Sequence, residues 1–176
     1  MVQVWDRFVR LFHWTLALSL VIAWFSAQSF ETLHMWAGYA AGALVALRVA
    51  WGFAGAGHAR FAQFVRRPGT VLSYLRDVAS GREARFVGHN PAGGAMILAL
   101  LSGLIASAFT GWMLTTDALW GVQWAQRLHS LVAHGLLLLV LGHLVGVALA
   151  SFRHRENLVR AMIVGRKRAP EAGDVA

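Results

Sequence analysis

Four long apolar runs alternate with polar or basic stretches along the chain. They cover residues 8–28, 33–53, 92–115 and 128–152. Each run has at least the roughly 20 residues that an α-helix needs to cross a bilayer. The short alternating segments of a transmembrane β-barrel do not occur. The pattern therefore predicts an all-α membrane protein, a bundle of four transmembrane helices.

The basic residues are distributed unevenly around these runs. Of 16 Lys and Arg residues, only Arg127 falls in the connection after the first run or the connection after the third. Because Lys and Arg favour the cytoplasmic side of a membrane, both termini are predicted to be cytoplasmic. The net charge of +8 is placed between apolar runs, which argues against a nucleic-acid partner and favours membrane lipid.

Two weaker amphipathic segments lie outside the apolar runs. Residues 70–79 and 158–163 place their apolar side chains on one helical face. They are predicted to be short helices on the inner membrane surface, one in the connection between the second and third runs and one in the C-terminal tail. We expect a single domain over residues 1–168 and a disordered tail over residues 169–176.

Eight histidines and no cysteine define the candidate chemistry. Without cysteine, a haem cannot be attached through thioether bonds and must be held by ligation and packing. His129 and His143 are fourteen residues apart in the fourth run, so they share a helix face about 21 Å apart along its axis. The predicted topology places His13 and His143 at the same depth near the inner membrane surface. It places His34 and His129 at the same depth near the outer surface.

These two depth-matched pairs predict two haems, each with two imidazole ligands. A six-coordinate iron has no open position, which favours electron transfer over substrate chemistry at the metal. Zinc is disfavoured because no carboxylate lies within a run. Alternatives remain open: the histidines can serve only as hydrogen-bond partners between helices, and His134 or His154 can replace a proposed ligand.

Haem propionates need cationic partners near the membrane surfaces. Arg10, Arg48 and Arg153 are candidates for the inner haem, and Arg127 is the candidate for the outer one. Arg48 is the most informative because it lies inside an apolar run. The alternative for Arg48 is that its side chain extends to the interface without a ligand.

Several short motifs resemble those of the bacterial cytochrome b561 family, which includes the b-type cytochrome subunits of hydrogenases. They are residues 4–6 (VWD), 10–14 (RLFHW), 48–53 (RVAWGF), 59–61 (ARF), 88–91 (GHNP) and 156–162 (ENLVRAM), with His34, Gly38, His129 and His143. The resemblance implies four transmembrane helices in the bacterial inner membrane and two b haems. It also implies quinone-linked electron transfer, and it places the ligands at His13, His34, His129 and His143.

The expected function is electron transfer between the quinone pool and a periplasmic or membrane-complex partner, such as a c-type cytochrome or a catalytic redox subunit. His89, with Asn90 beside it, is a candidate quinone-binding group; alternatively, Asn90 and Pro91 simply begin the third helix. Two rival functions stay open, a superoxide:quinone oxidoreductase and a haem-free membrane anchor. Whether the chain is an enzyme is left open, and a homodimer is possible.

Overall fold

The computed structural model describes residues 1–55 and 59–175, so His58 lies outside the described residues. Its elements follow in chain order: β1 (Val2–Gln3), α1 (Arg7–Ser26), α2 (Glu31–Ala54), α3 (Phe61–Phe64), α4 (Pro68–Ala79), α5 (Pro91–Met113), α6 (Gln123–Arg153), α7 (Leu158–Val164) and β2 (Arg166–Lys167). Four of these helices, α1, α2, α5 and α6, are long and apolar enough to cross a membrane. The all-α prediction with four membrane spans is confirmed, and the cytoplasmic location of the termini stays a prediction.

The helix α6 begins five residues before the apolar run from which it was predicted. Its first turn carries the polar residues Gln123, Gln126 and Arg127, which a hydropathy pattern excludes although they continue the helix. With 31 residues, α6 is about 46 Å long, whereas a hydrocarbon layer is about 30 Å thick. The helix is therefore longer than a straight crossing requires.

The described chain divides into two compact units. The first, here called the helical unit, comprises Leu11–Ala50 and Ala99–Val140. The second, here called the connector unit, comprises Met1–Arg10, Trp51–Leu98 and Leu141–Ala176. The boundary at residue 168 and the disorder expected for residues 169–176 stay predictions.

Small residues allow close helix packing within the helical unit. A Cβ added to Gly42 of α2 would lie 3.4 Å from the Ala108 Cβ of α5, and a Cβ added to Gly103 of α5 would lie 3.2 Å from Leu136 of α6. Hydroxyl groups in these helices bond to their own backbone, as Ser19 does to the carbonyl of Thr15 at 2.9 Å. Both features are typical of membrane helices, where no water satisfies a polar group.

The connector unit contains the two predicted short helices. The helix α4 begins at Pro68, two residues before the predicted start, because proline is well tolerated in a first turn. The helix α7 is capped by Asn157, whose Oδ1 accepts a hydrogen bond from the backbone of Arg160 at 2.7 Å. Gly165, with φ of 82°, ends α7. Both helices are confirmed, and their position on the membrane surface stays a prediction.

A short ribbon that the sequence did not predict joins the two ends of the chain. In it β1 pairs antiparallel with β2, so that Val2 faces Lys167. Behind the ribbon, Val4, Trp5 and Val87 form a buried apolar cluster. Strands of two residues are too short to leave an alternating pattern, which explains why sequence analysis missed them.

A buried cluster of ion pairs connects distant parts of the connector unit. The Arg85 side chain is 5% exposed, and its Nη2 lies 2.8 Å from Oε1 of Glu156. Arg85 also pairs with Asp174 and donates a hydrogen bond to the carbonyl of Arg168. Burial alone would raise the pKa of the Glu156 carboxyl, but its hydrogen bonds to Arg85 and to the Arg168 backbone outweigh burial and lower that pKa. The cluster thus stabilises the carboxylate form of Glu156.

Replacing Arg85 should test how strongly this cluster stabilises the protein. We expect Arg85→Ala to lower the free energy of unfolding by about 3 kcal/mol, because it removes the nearest cation of the buried Glu156 carboxylate and leaves it only Lys167 at 3.9 Å. The matched control is Arg82→Ala, since Arg82 is exposed. Thermal unfolding followed by circular dichroism in detergent measures both. Equal stability of the two variants would contradict the stabilising role of Arg85.

The same cluster should make stability depend on pH. Because the folded pKa of Glu156 lies below its ordinary value of 4.5, its contribution is fully present above about pH 4.5 and is lost as pH falls through the folded pKa. We expect the unfolding temperature to decline below that pH, and Glu156→Gln to be less stable at neutral pH but to decline less. Parallel curves for the two proteins would show that Glu156 does not link stability to pH.

Candidate functional site

The helical unit brings His34 of α2 and His129 of α6 together. Their ring centroids are 6.1 Å apart and the ring planes are inclined by 79°. Both side chains are half-buried. The two histidines predicted to share the outer depth are therefore neighbours in space.

Hydrogen bonds orient both rings and define their tautomers. Nδ1 of His34 lies 2.8 Å from the carbonyl oxygen of Ala23, which can only accept, so Nδ1 carries the proton. Nδ1 of His129 lies 3.0 Å from the hydroxyl of Thr110, and that hydroxyl donates to the carbonyl of Ala106 at 2.8 Å. The Thr110 oxygen thus accepts from His129. Each ring keeps an Nε2 lone pair for a metal ion.

The two rings are close enough for both to bind one metal ion. A metal–imidazole bond is about 2.0–2.1 Å long. Imidazoles that share a metal ion therefore have centroids no more than roughly 6 Å apart, and the observed centroid distance is 6.1 Å. The Nδ1 hydrogen bonds are the outer contacts that metal-binding histidines usually have.

A glycine contacts the His129 ring, and another glycine follows His34 by one helical turn. A Cβ added to Gly111 would lie 3.1 Å from Cε1 of His129, so the glycine allows that ring to approach α5. Gly38, one turn after His34, would have no atom within 4 Å of an added Cβ. Among residues 1–55 and 59–175, no three His, Cys, Asp or Glu side chains are grouped as a metal site. His34 and His129 are thus the candidate ligands that this place offers.

His134 and Arg127 lie on another, exposed face of α6. Nδ1 of His134 bonds to the carbonyl of Ser130 at 2.7 Å, and its ring packs edge-on against Trp24 at 5.4 Å between centroids. Arg127 lines an open surface depression of about 580 Å³ together with His134 and Gln123. His134 is thereby engaged away from the pair formed by His34 and His129.

The inner pair is divided between the two units. His13 belongs to the helical unit, where its ring packs edge-on against Trp14 at 5.2 Å between centroids. His143 belongs to the connector unit and is half-buried. His154 is also half-buried, in the turn after α6. The pairing of His13 with His143 stays a prediction.

The candidate propionate partners differ in their surroundings. Arg48 is only 4% exposed, so its side chain is enclosed by protein, which argues against the alternative of a side chain extended to the interface. Arg10 donates to the carbonyl of Val164 at 3.0 Å, and its buried Nε makes no hydrogen bond within the described part of the chain. Arg153 forms an ion pair with Glu83 at 2.8 Å.

His89 and Asn90 are both placed in the connector unit. The His89 ring lies between Trp5 and Phe64, with centroid distances of 4.5 Å and 4.8 Å. Oδ1 of Asn90 accepts a hydrogen bond from the backbone of Gly93 at 2.6 Å. Asn90 thus caps the start of α5, as the alternative interpretation predicted, and a role of either residue in quinone binding stays a prediction.

Sequence analysis missed the groups that orient the histidines. Thr110 is nineteen residues before His129, and a threonine in an apolar run leaves no local pattern that would connect it with that histidine. Trp5 and Phe64, which enclose His89, are likewise distant from it in sequence. Gly111 was one of several glycines in the runs, and only its contact with His129 distinguishes it.

Comparisons with known proteins support a common origin. A sequence model described as prokaryotic cytochrome b561 matches residues 4–165. The chain is 26% identical to a probable Ni/Fe-hydrogenase B-type cytochrome subunit of Rhodobacter capsulatus, over 94% of this chain and 81% of the relative. It is 26% identical to the subunit of the same name from Azotobacter chroococcum mcd 1, over 93% of this chain and 87% of the relative.

No solved structure matches the chain. The family match nevertheless covers all four long helices and both members of each histidine pair. A family of b-type cytochromes implies haem b, and it indicates electron transfer in a membrane. The chain therefore belongs to the prokaryotic cytochrome b561 family.

Proposed function

We propose that this chain is a di-haem b protein that transfers electrons between the quinone pool and a periplasmic or membrane-complex redox partner. The observation that carries the proposal is the approach of His34 and His129 to 6.1 Å with both Nε2 atoms available. Membership of a b-type cytochrome family favours this reading over a haem-free anchor.

At the outer site, the Nε2 atoms of His34 and His129 would hold the haem iron. When bound, haem b would supply a one-electron carrier. The carbonyl of Ala23 and the hydroxyl of Thr110 hold the two rings in the tautomer that ligation requires, and the Nδ1 hydrogen bonds raise the basicity of each ring. The ring orientation is thus prepared by the chain itself.

At the inner site, we assign the ligands to His13 and His143, on the strength of their predicted depth. Arg48 is our candidate partner for an anionic propionate, because its cationic side chain is buried within an apolar helix. The buried Nε of Arg10 supports a second contact. Arg153 would share its guanidinium with Glu83. At the outer site only Arg127 offers a cation by sequence.

The quinone and the protein partner extend the proposal. His89, held between two aromatic rings, is our candidate proton-handling group for a quinone; Asn90 has its Oδ1 engaged by the cap, which leaves its amide to donate.

The relatives are named as hydrogenase cytochrome subunits, which favours a catalytic redox subunit as partner. A superoxide:quinone oxidoreductase would need a positive outer entrance, and Arg127 alone would provide it. We place the protein in the bacterial inner membrane.

Removal of each outer histidine should reduce the haem content. We expect His34→Ala and His129→Ala each to lose about half of the haem, because a single imidazole holds iron weakly. His134→Ala is the matched control, since that ring is engaged elsewhere on α6. Dithionite-reduced minus oxidised spectra, with haem and protein quantified on one sample, measure the ratio. Full haem content in both outer variants would refute the ligand assignment.

If Thr110 orients the His129 ring, its replacement should change the redox potential of one haem. Thr110→Val removes the acceptor for Nδ1 of His129, which makes the imidazole a weaker donor. We expect one haem to titrate at a higher potential and to be retained about 10–100-fold less tightly. Thr115→Val is the control, because the Thr115 hydroxyl bonds to the carbonyl of Trp112. A potentiometric titration identical for both variants would show that Thr110 is only a packing residue.

A further inference from the structure

The last turns of α6 and the segment that follows it form an open groove in the connector unit. Its volume is about 550 Å³. Most of its lining is apolar, from Leu144, Val147, Ala148, Phe152 and Val159, and Arg155 lines it just after the end of α6. Phe152 is 85% exposed, so a large ring on a membrane-spanning helix is left uncovered by protein. The groove thus combines apolar side chains from successive turns of α6, here called the apolar wall, with a cation that follows the helix.

Arg155 is the available charge in this groove. Its guanidinium makes no ion pair or hydrogen bond within residues 1–55 and 59–175. Glu156 also lines the groove, but Arg85 and Lys167 neutralise its carboxylate at 2.8 Å and 3.9 Å. The groove therefore presents a net positive charge.

The backbone at Arg155 is in an unusual conformation. Its φ is 49°, and it is the one residue other than glycine with positive φ in the described part of the chain. Left-handed backbone is unfavourable for a residue with a Cβ, and such strain is frequent at sites that bind ligands. Arg155 follows the end of α6 by two residues, and it lines the groove together with the apolar side chains.

We propose that this groove binds one anionic phospholipid of the surrounding membrane. An acyl chain would lie along Leu144, Ala148 and Phe152, and the headgroup phosphate would bind Arg155. A phospholipid fits because its apolar and anionic parts are arranged in the same order as the apolar wall and the cation. Fifteen of the 16 basic residues are predicted to lie on this side of the membrane, where anionic lipids are attracted. A zwitterionic lipid would fill the wall but bring no net charge to Arg155.

Native mass spectrometry of the full-length haem-loaded chain tests the proposal. The protein is delipidated in detergent, and phosphatidylglycerol or phosphatidylcholine with identical acyl chains is added at equal concentration. We expect the wild type to retain one phosphatidylglycerol per chain, about fivefold more than phosphatidylcholine. Arg155→Gln should remove this preference and Arg155→Lys should restore it. Arg160→Gln is the matched control, because Arg160 is an exposed arginine of α7 outside the groove lining.

A second variant tests the apolar wall independently of charge. Ala148→Trp fills the groove, so it should reduce the retention of both lipids while the haem spectrum stays unchanged. Equal retention of both lipids by the wild type, or equal losses in Arg155→Gln and Arg160→Gln, would overturn the proposal. So would unchanged lipid retention in Ala148→Trp. A dimer that occupies this face in place of lipid, and that Ala148→Trp dissociates, would also overturn it.

Discussion

An imidazole inside a membrane helix must have its polar nitrogens engaged, because hydrocarbon offers them no partner. At His34 and His129 the chain meets this requirement for one nitrogen of each ring, through the Ala23 carbonyl and the Thr110 hydroxyl. The remaining nitrogens belong to two rings whose centroids are 6.1 Å apart. Gly111 allows the His129 ring to lie close to α5, and the two Nδ1 hydrogen bonds set the tautomers.

The four long helices were predictable because each depends only on a local average of hydropathy. The proximity of His34 and His129 was also predictable. In two helices that cross the same membrane, the number of residues from the helix end gives each residue's depth, and these two histidines have the same depth. Thr110 was not predictable, because its contact depends on how α5 is rotated against α6. The β1–β2 ribbon and the Arg85 cluster join segments about 70 to 165 residues apart, and no local pattern encodes such pairings. The sequence allowed Asn90 either to cap α5 or to bind a quinone. The hydrogen bond from the Gly93 backbone to its Oδ1 shows that it caps α5.

Several of the basic residues that predict the cytoplasmic side of the protein are paired with carboxylates in the connector unit. Arg85, Arg153 and Lys167 count toward the topology, yet each has a carboxylate partner in Glu83, Glu156 or Asp174. These pairs fix the segments around the membrane boundary, so they serve the fold. Exposed arginines such as Arg155, whose guanidinium has no partner within residues 1–55 and 59–175, are the charges that remain for anionic ligands. A count of basic residues therefore overstates the charge that a lipid or a partner protein encounters.

The bond between His34 and Ala23 has a consequence for how this chain can vary. Ala23 lies in the last turn of α1, and its carbonyl oxygen accepts hydrogen bonds from the Ser26 hydroxyl at 3.3 Å and from Nδ1 of His34 at 2.8 Å. Residues 27–30, which connect α1 to α2, therefore influence the position of the His34 ring as well as the direction of the chain. An insertion there would shift the start of α2 relative to the Ala23 carbonyl and rotate the His34 ring. The length of this loop is thus coupled to the proposed ligand geometry.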